Sequence, residues 1–218
     1  MPNADRLTGL DASFLALEKD GAHMHVGSVL VFEGETPDYY EFVAAIESRL
    51  HLVPRYRQRL AFPPFGVSRP IWIDDTHFNA RYHVRHTALP QPGGEDQLRR
   101  LAGRVFSQQL DRDKPLWEIW LVDRVEGDRF GLICKTHHSM VDGISGVDIM
   151  TVLFDLEPDP PAREPGPAWT ARPAPSRAVL FADALLERAE EPGRARRRTA
   201  RSRCRRPRRR RPGSGGSS

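Results

Sequence analysis

The sequence predicts an α/β fold, a mixed sheet with packed helices, and three features carry that prediction. Apolar, β-branched runs of strand length occur at residues 24–32, 117–125 and 129–137. Residues 96–110 hold the clearest helical stripe, with Leu98, Leu101, Ala102, Val105, Phe106 and Leu110 at i, i+3, i+4, i+7, i+8 and i+12. Only Glu126-Gly127-Asp128 separates the last two runs, which is a hairpin signal. Both periods in one chain mean helices layered on a sheet.

In chain order, the run at 24–32 is broken only by Gly27 and Ser28. Thr36-Pro37 then opens a helix, with Thr as N-cap and Pro at the first helical position. Its apolar residues Tyr39, Val43, Ile46 and Leu50 share one face. Residues 52–70 are basic and hold four prolines, so an irregular stretch is expected. Short strands are predicted at 71–73 and 78–84. In 117–125, Trp117, Ile119, Leu121 and Val125 alternate with Glu118, Trp120 and Val122, so both faces carry apolar groups. That suits an interior strand. Past residue 142, Ile144, Val147, Met150, Leu153 and Phe154 predict another amphipathic helix.

Three segments follow from this pass. Residues 1–157 form the folded unit. Residues 158–193 are a linker, with seven prolines in 158–175, and one helix at 177–191. Residues 194–218 are arginine, proline, glycine and serine with almost nothing apolar, and are expected to be disordered. The net charge of +4 conceals this division. Residues 194–211 hold twelve arginines and no acid, and removing those charges leaves the first 193 residues at −8. The pI of 9.4 therefore describes the tail, and the folded part is acidic.

A hydrophobic content of 39% supports a real core. There is no run of about 18 apolar residues, so no membrane-spanning helix is expected. Residues 1–10 lack a basic segment followed by an apolar one, and a secretory signal is not expected. Cys134 and Cys204 give no disulfide framework, which points to the reducing cytoplasm.

The chemistry is expected in His137-His138-Ser139-Met140-Val141-Asp142-Gly143, where a strand meets a helix. Strand side chains alternate, so only one of the two histidines can face a given cavity. An imidazole with an ordinary pKa of about 6.5 can take a proton from an alcohol and pass it on. Asp142 can cap amides or pair with an arginine, and Gly143 permits a tight entry into the helix. Taken singly, each residue has a plainer reading: a core histidine, or an N-cap. Metal is not expected at the motif, because adjacent ligands on a strand diverge and no Cys or Glu nearby completes a shell.

His-His-x-x-x-Asp-Gly resembles the signature of coenzyme A-dependent acyltransferases related to chloramphenicol acetyltransferase and to peptide-synthetase condensation domains. Three further segments resemble the bacterial wax ester synthase/diacylglycerol acyltransferase family. They are residues 7–15 with Glu18, then His23-Met24-His25-Val26-Gly27, and Asp113-Lys114-Pro115-Leu116-Trp117-Glu118. At His23 the family usually has Pro. The resemblance implies a chloramphenicol acetyltransferase-like half-domain, paired in the family with a similar second half across a tunnel. It also implies His138 as general base, Asp142 as a loop-shaping residue and a less defined supporting role for His137. Pro115, Leu116, Trp117 and Gly143 would support the motif. The implied reaction transfers a long acyl group from acyl-coenzyme A, a co-substrate with no separate cofactor, to diacylglycerol or a fatty alcohol. Peripheral contact with the inner membrane or lipid inclusions would accompany it.

The sequence leaves two other functions open: a non-catalytic remnant that binds polyanions, and a condensation-type acyltransferase with a carrier-protein donor. Where the family's second half should follow, the text turns to residues that GC-rich codons encode. A frameshift is the preferred account, against a basic tail selected for anionic lipid or nucleic acid. Without interleaved aromatics the tail should not recognise nucleic-acid sequence.

Overall fold

A computed structural model describes residues 5–18, 22–141 and 166–189. The Asp142-Gly143 end of the motif, the helix expected from Ile144 and the arginine-rich segment lie outside the described residues. The first helix, α1 (Gly9–Leu17), starts at a reciprocal cap: Thr8 Oγ1 accepts from the Asp11 N–H, and Asp11 accepts from the Thr8 N–H. Strand β1 (His25–Glu33) and helix α2 (Tyr39–Arg49) follow. Asp38, not Thr36, caps α2, because its carboxylate reaches the N–H groups of Tyr40 and Glu41.

Two expectations fail between residues 52 and 88. The proline-rich stretch contains a 3-10 turn (Pro54–Arg57) and a strand, β2 (Gln58–Ala61), which pairs antiparallel with β3 (Ile71–Asp74). The strand expected at 78–84 is a short helix, α3 (Ala80–His83), followed by β4 (Val84–Ala88). Asn79 accepts from the Arg81 N–H and turns the chain there. His83 then buries its ring flat on Trp117, with centroids 4.6 Å apart, and donates from Nδ1 to the Trp117 carbonyl at 2.9 Å. Local alternation lost to that tertiary contact.

Helix α4 (Glu95–Phe106) and the hairpin β5 (Trp117–Val125) and β6 (Arg129–His137) complete the main sheet. Its order is β1-β6-β5-β4, antiparallel except for the β4–β5 pair, so the sheet is mixed as expected. Gly127 takes the positive φ of 84° that the hairpin turn requires. Strand β5 is interior, and its alternation feeds two cores. Trp117, Ile119 and Leu121 join Leu132 and Cys134 of β6, with Leu15 of α1 and Val43, Ile46 and Leu50 around α2. On the other face Val122, Val125 and Ile133 meet Leu98, Ala102 and Val105 of α4. Each such aliphatic side chain contributes about 1.5–3 kcal/mol by leaving water.

Helix α4 stops four residues before Leu110, which crosses into the first core instead. Its end is held by a cation from the sheet: Lys135 Nζ donates to the carbonyls of Val105 and Gln108, each at 3.0 Å. Phe106 at the last turn lies against Gly27 of β1. A Cβ at Gly27 would meet the ring at 2.4 Å, so only glycine admits this approach. Residues 177–189 are helical. Leu180 there packs with Ala61, Ile71 and Ile73, while Arg6 pairs with Asp183 and Glu187.

Two outcomes should follow from this packing. Gly27→Ala is expected to lower stability by about 1–3 kcal/mol, measured by urea denaturation, because Phe106 must leave its seat. Burial pushes the His83 imidazole down to about 4, against the opposing hydrogen bond to Trp117. Unfolded, it would titrate near 6.5, so the unfolded chain binds the extra proton between those values. The stability from neutral His83 is complete above about pH 6.5 and is lost as pH falls toward 4, up to about 3 kcal/mol. Denaturation at pH ~7 and ~4.5 should show a shallower loss in His83→Gln than in the unaltered chain.

Candidate active site

The two histidines leave β6 in different ways. His137 is its last residue, directly opposite His25 of β1, and shares the α4-side face with Ile133 and Lys135. Its backbone N–H donates to the Leu116 carbonyl at 2.9 Å. His138 begins the short helix α5 (His138–Val141), and its N–H donates to the Met24 carbonyl at 2.8 Å. The motif backbone is thus held by the segments around Met24 and Leu116. Pro115, Leu116 and Trp117 are buried, and the Trp117 indole donates to the Tyr56 carbonyl at 2.9 Å. Their contribution is to anchor the strand that holds the double histidine.

His137 is almost wholly enclosed. The Ser139 backbone N–H donates to its Nδ1 at 3.1 Å, and the Ser139 hydroxyl lies 2.7 Å from the same nitrogen. A backbone N–H can only donate, so Nδ1 accepts and the neutral ring carries its proton on Nε2. That nitrogen faces Glu18 Oε2 at 3.8 Å. Burial pushes His137 down to about 4, while Glu18 opposes the shift. His138 differs: it is partly exposed, and its ring lies on Phe14 of α1, with centroids 4.0 Å apart. Its Nδ1 is covered and has no hydrogen-bond partner among the described residues. Two surface clefts of about 430 and 420 Å³ lie elsewhere, at the β5–β6 turn and beside residues 66–69.

Around His137 is a polar cluster whose arrangement the sequence did not disclose. Glu18, at the end of α1, accepts from Arg112 at 2.7 Å and Gln109 at 3.0 Å through Oε2. Burial would raise its carboxyl, but those two hydrogen bonds and the nearby positive charges hold it below the usual carboxylate range. His25 and His23 stand on its other side. In the sequence Glu18 is marked only by resemblance, since nothing local ties it to a residue 119 positions on. The capping pair Thr8 and Asp11 was a readable signal that a helix would deliver it there.

The wax ester synthase/diacylglycerol acyltransferase catalytic domain matches residues 7–209. The chain belongs to that family. It is 36% identical over 190 residues to the probable diacylglycerol O-acyltransferase tgs3 of Mycobacterium tuberculosis, covering 86% of this chain and 70% of that protein. Against the probable diacylglycerol O-acyltransferase tgs1 of the same species it is 38% identical over 153 residues, covering 69% of this chain and 33% of that protein. Among solved structures, the wax ester synthase/diacylglycerol acyltransferase of Marinobacter aquaeolei superposes with a TM-score of 0.53 at 34% identity, covering 64% of this chain and 36% of that one. The starter condensation domain of rhizomide synthetase shares the fold, with a TM-score of 0.51 at 16% identity over 61% of this chain and 32% of that one. The chain thus spans about a third of tgs1 and of the Marinobacter enzyme. Family membership makes it an acyltransferase sequence, whose substrates are an acyl donor and an acyl acceptor.

Arg112 is the partner on which buried Glu18 depends. Arg112→Leu should lower stability by about 3 kcal/mol, because it leaves a carboxylate enclosed without its cation. Chemical denaturation with and without the substitution checks this. A loss below about 0.5 kcal/mol would mean that Gln109 alone suffices.

Proposed function

We propose that this chain supplies the N-terminal catalytic half of an O-acyltransferase that moves a long acyl group from acyl-coenzyme A to diacylglycerol or a fatty alcohol, with His138 as the base. One observation carries the assignment of the base: of the two motif histidines, only His138 is partly exposed, whereas both nitrogens of His137 are engaged or enclosed. His138 takes the acceptor hydroxyl proton as that oxygen attacks the thioester carbonyl carbon. The tetrahedral intermediate then expels the coenzyme A thiolate, which receives the proton from the imidazolium. The acyl group passes directly between substrates, without an acyl-enzyme.

His137 acts as a positioning residue in this scheme. Its hydrogen bonds to Ser139 fix the turn on which His138 stands. Asp142 is assigned the shaping of the same loop, and Gly143 its tight passage. The names of the relatives support diacylglycerol as acceptor, and the Marinobacter enzyme's name supports a fatty alcohol as well. Peripheral contact with a lipid surface is part of the proposal, because both acceptors reside there; no helix among the described residues is long and apolar enough to cross a membrane.

The test joins residues 1–157 of this chain to the remainder of the Marinobacter enzyme and follows ester formation from a long-chain acyl-coenzyme A. His138→Ala is expected to lower kcat by about 10²–10⁴ with an unchanged melting temperature. His137→Ala should lower the melting temperature as well. Full turnover by the His138 variant would assign the base elsewhere.

A further inference from the structure

Glu18, His23 and His25 are not explained by the acyl-transfer scheme. The Glu18 side chain is 3% exposed, that of His25 5% and that of His23 17%, so the three are largely withdrawn from water. Oε2 of Glu18 is occupied by Arg112 and Gln109, and Oε1 has no hydrogen-bond partner among the described residues. That oxygen lies 3.6 Å from His23 Nδ1 and 3.5 Å from His25 Nε2, and neither nitrogen has a hydrogen-bond partner among those residues. The Phe106 backbone stands near His25 without a hydrogen bond of normal geometry. Enclosed polar atoms that converge without hydrogen-bond partners among the described residues are costly unless something joins them.

The chemistry of His23 indicates what that is. Its Nε2 is 2.9 Å from the Ser107 carbonyl oxygen at the end of α4. A carbonyl can only accept, so Nε2 carries the hydrogen and the neutral ring presents a lone pair at Nδ1. That lone pair faces the carboxylate. A histidine that donates its far N–H to a backbone carbonyl is the usual outer arrangement of a metal-bound imidazole. Arg112 and Gln109 hold the carboxylate in the same manner. The spacing also fits. Ligands about 2.0–2.1 Å from a tetrahedral zinc ion stand about 3.4 Å apart, and one donor atom from each of the three residues lies within 4.8 Å of the others.

We propose that Glu18 Oε1, His23 Nδ1 and His25 Nε2 form a binding site for one divalent transition metal of the zinc class, with a fourth position left to water. Two imidazoles and one carboxylate suit zinc over magnesium, which favours six oxygen ligands. The ion would join the end of α1 to the start of β1, and so fix Glu18 beneath His137. Lys135 and Arg112 stand close by, and their charge sets the affinity below that of a thiolate site. The motif and its sequence neighbours offer no metal shell, whereas these ligands converge from the end of α1 and the entry to β1.

The full-length chain, stripped with a chelator, is titrated with Zn²⁺, Co²⁺ and Mg²⁺ by calorimetry, with visible spectra for Co²⁺. One Zn²⁺ per chain, the d–d bands of four-coordinate Co²⁺ and a rise in melting temperature with Zn²⁺ but not Mg²⁺ are expected. His23→Gln and His25→Gln should each weaken Zn²⁺ binding by more than about 100-fold, while His77→Gln at an exposed position should not. His23 is the more accessible ligand, so its variant carries the test if loss of His25 unfolds the chain, with circular dichroism as the check. Absence of stoichiometric binding, an equal response to Mg²⁺, or full affinity in a folded His23→Gln would overturn the site.

Discussion

The carboxylate of Glu18 is the constraint on which this part of the molecule depends. A buried carboxylate costs several kcal/mol unless cations and donors surround it. Here Arg112 and Gln109 arrive from the segment after α4 and donate to one oxygen, His137 approaches that oxygen from the end of β6, and His23 and His25 line the other from the entry to β1. None of these segments is a sequence neighbour of another, apart from α1 and β1. This one carboxylate is therefore the point at which α1, the entry to β1, β6 and the α4 exit meet. The double histidine stands at that point.

A second consequence follows from the end of α4. A helix C-terminus leaves carbonyls without partners, and here they are met from the sheet and from the loop before it. Lys135 reaches the carbonyls of Val105 and Gln108, and His23 reaches that of Ser107. Burial pulls Lys135 below the usual amine range, and Glu118 opposes that pull. Strand parity then does the rest. Ile133, Lys135 and His137 face α4, the first in an apolar core and the other two in the polar end of the same layer. The transition from β6 to α5 at His138 breaks that parity and turns the second ring onto Phe14.

The resemblance segments thereby acquire physical reasons. The Met24 and Leu116 carbonyls accept from the two motif amides, and Gly27 gives Phe106 room against β1. Trp117 is a core residue whose stacking on His83, tilted ring contact with Tyr56 and bond to the Tyr56 carbonyl fix the start of β5. Its part is mechanical: it anchors the strand whose preceding residue, Leu116, accepts from the His137 amide.

The sequence by itself determined the elements whose pattern and burial agree. Strands β5 and β6 occupy the predicted residues because apolar groups on both faces and a Gly turn meet a sheet with cores on both faces, although a register shift between Val122 and Val125 moves Val125 from the expected Trp117 face to the α4 side. The same holds for the α4 stripe up to Phe106, and for the position of the motif at a strand–helix junction. Tertiary structure decided the rest. Residues 78–84 alternate like a strand, yet burying His83 on Trp117 outweighs that local preference. Leu110 fits the α4 period but belongs to the opposite core. The two histidines are equivalent as letters, and only the Ser139 and Glu18 contacts distinguish an enclosed ring from an accessible one. A pattern in sequence records which side chains leave water, whereas partners far along the chain become visible only when the fold brings them within a few ångströms.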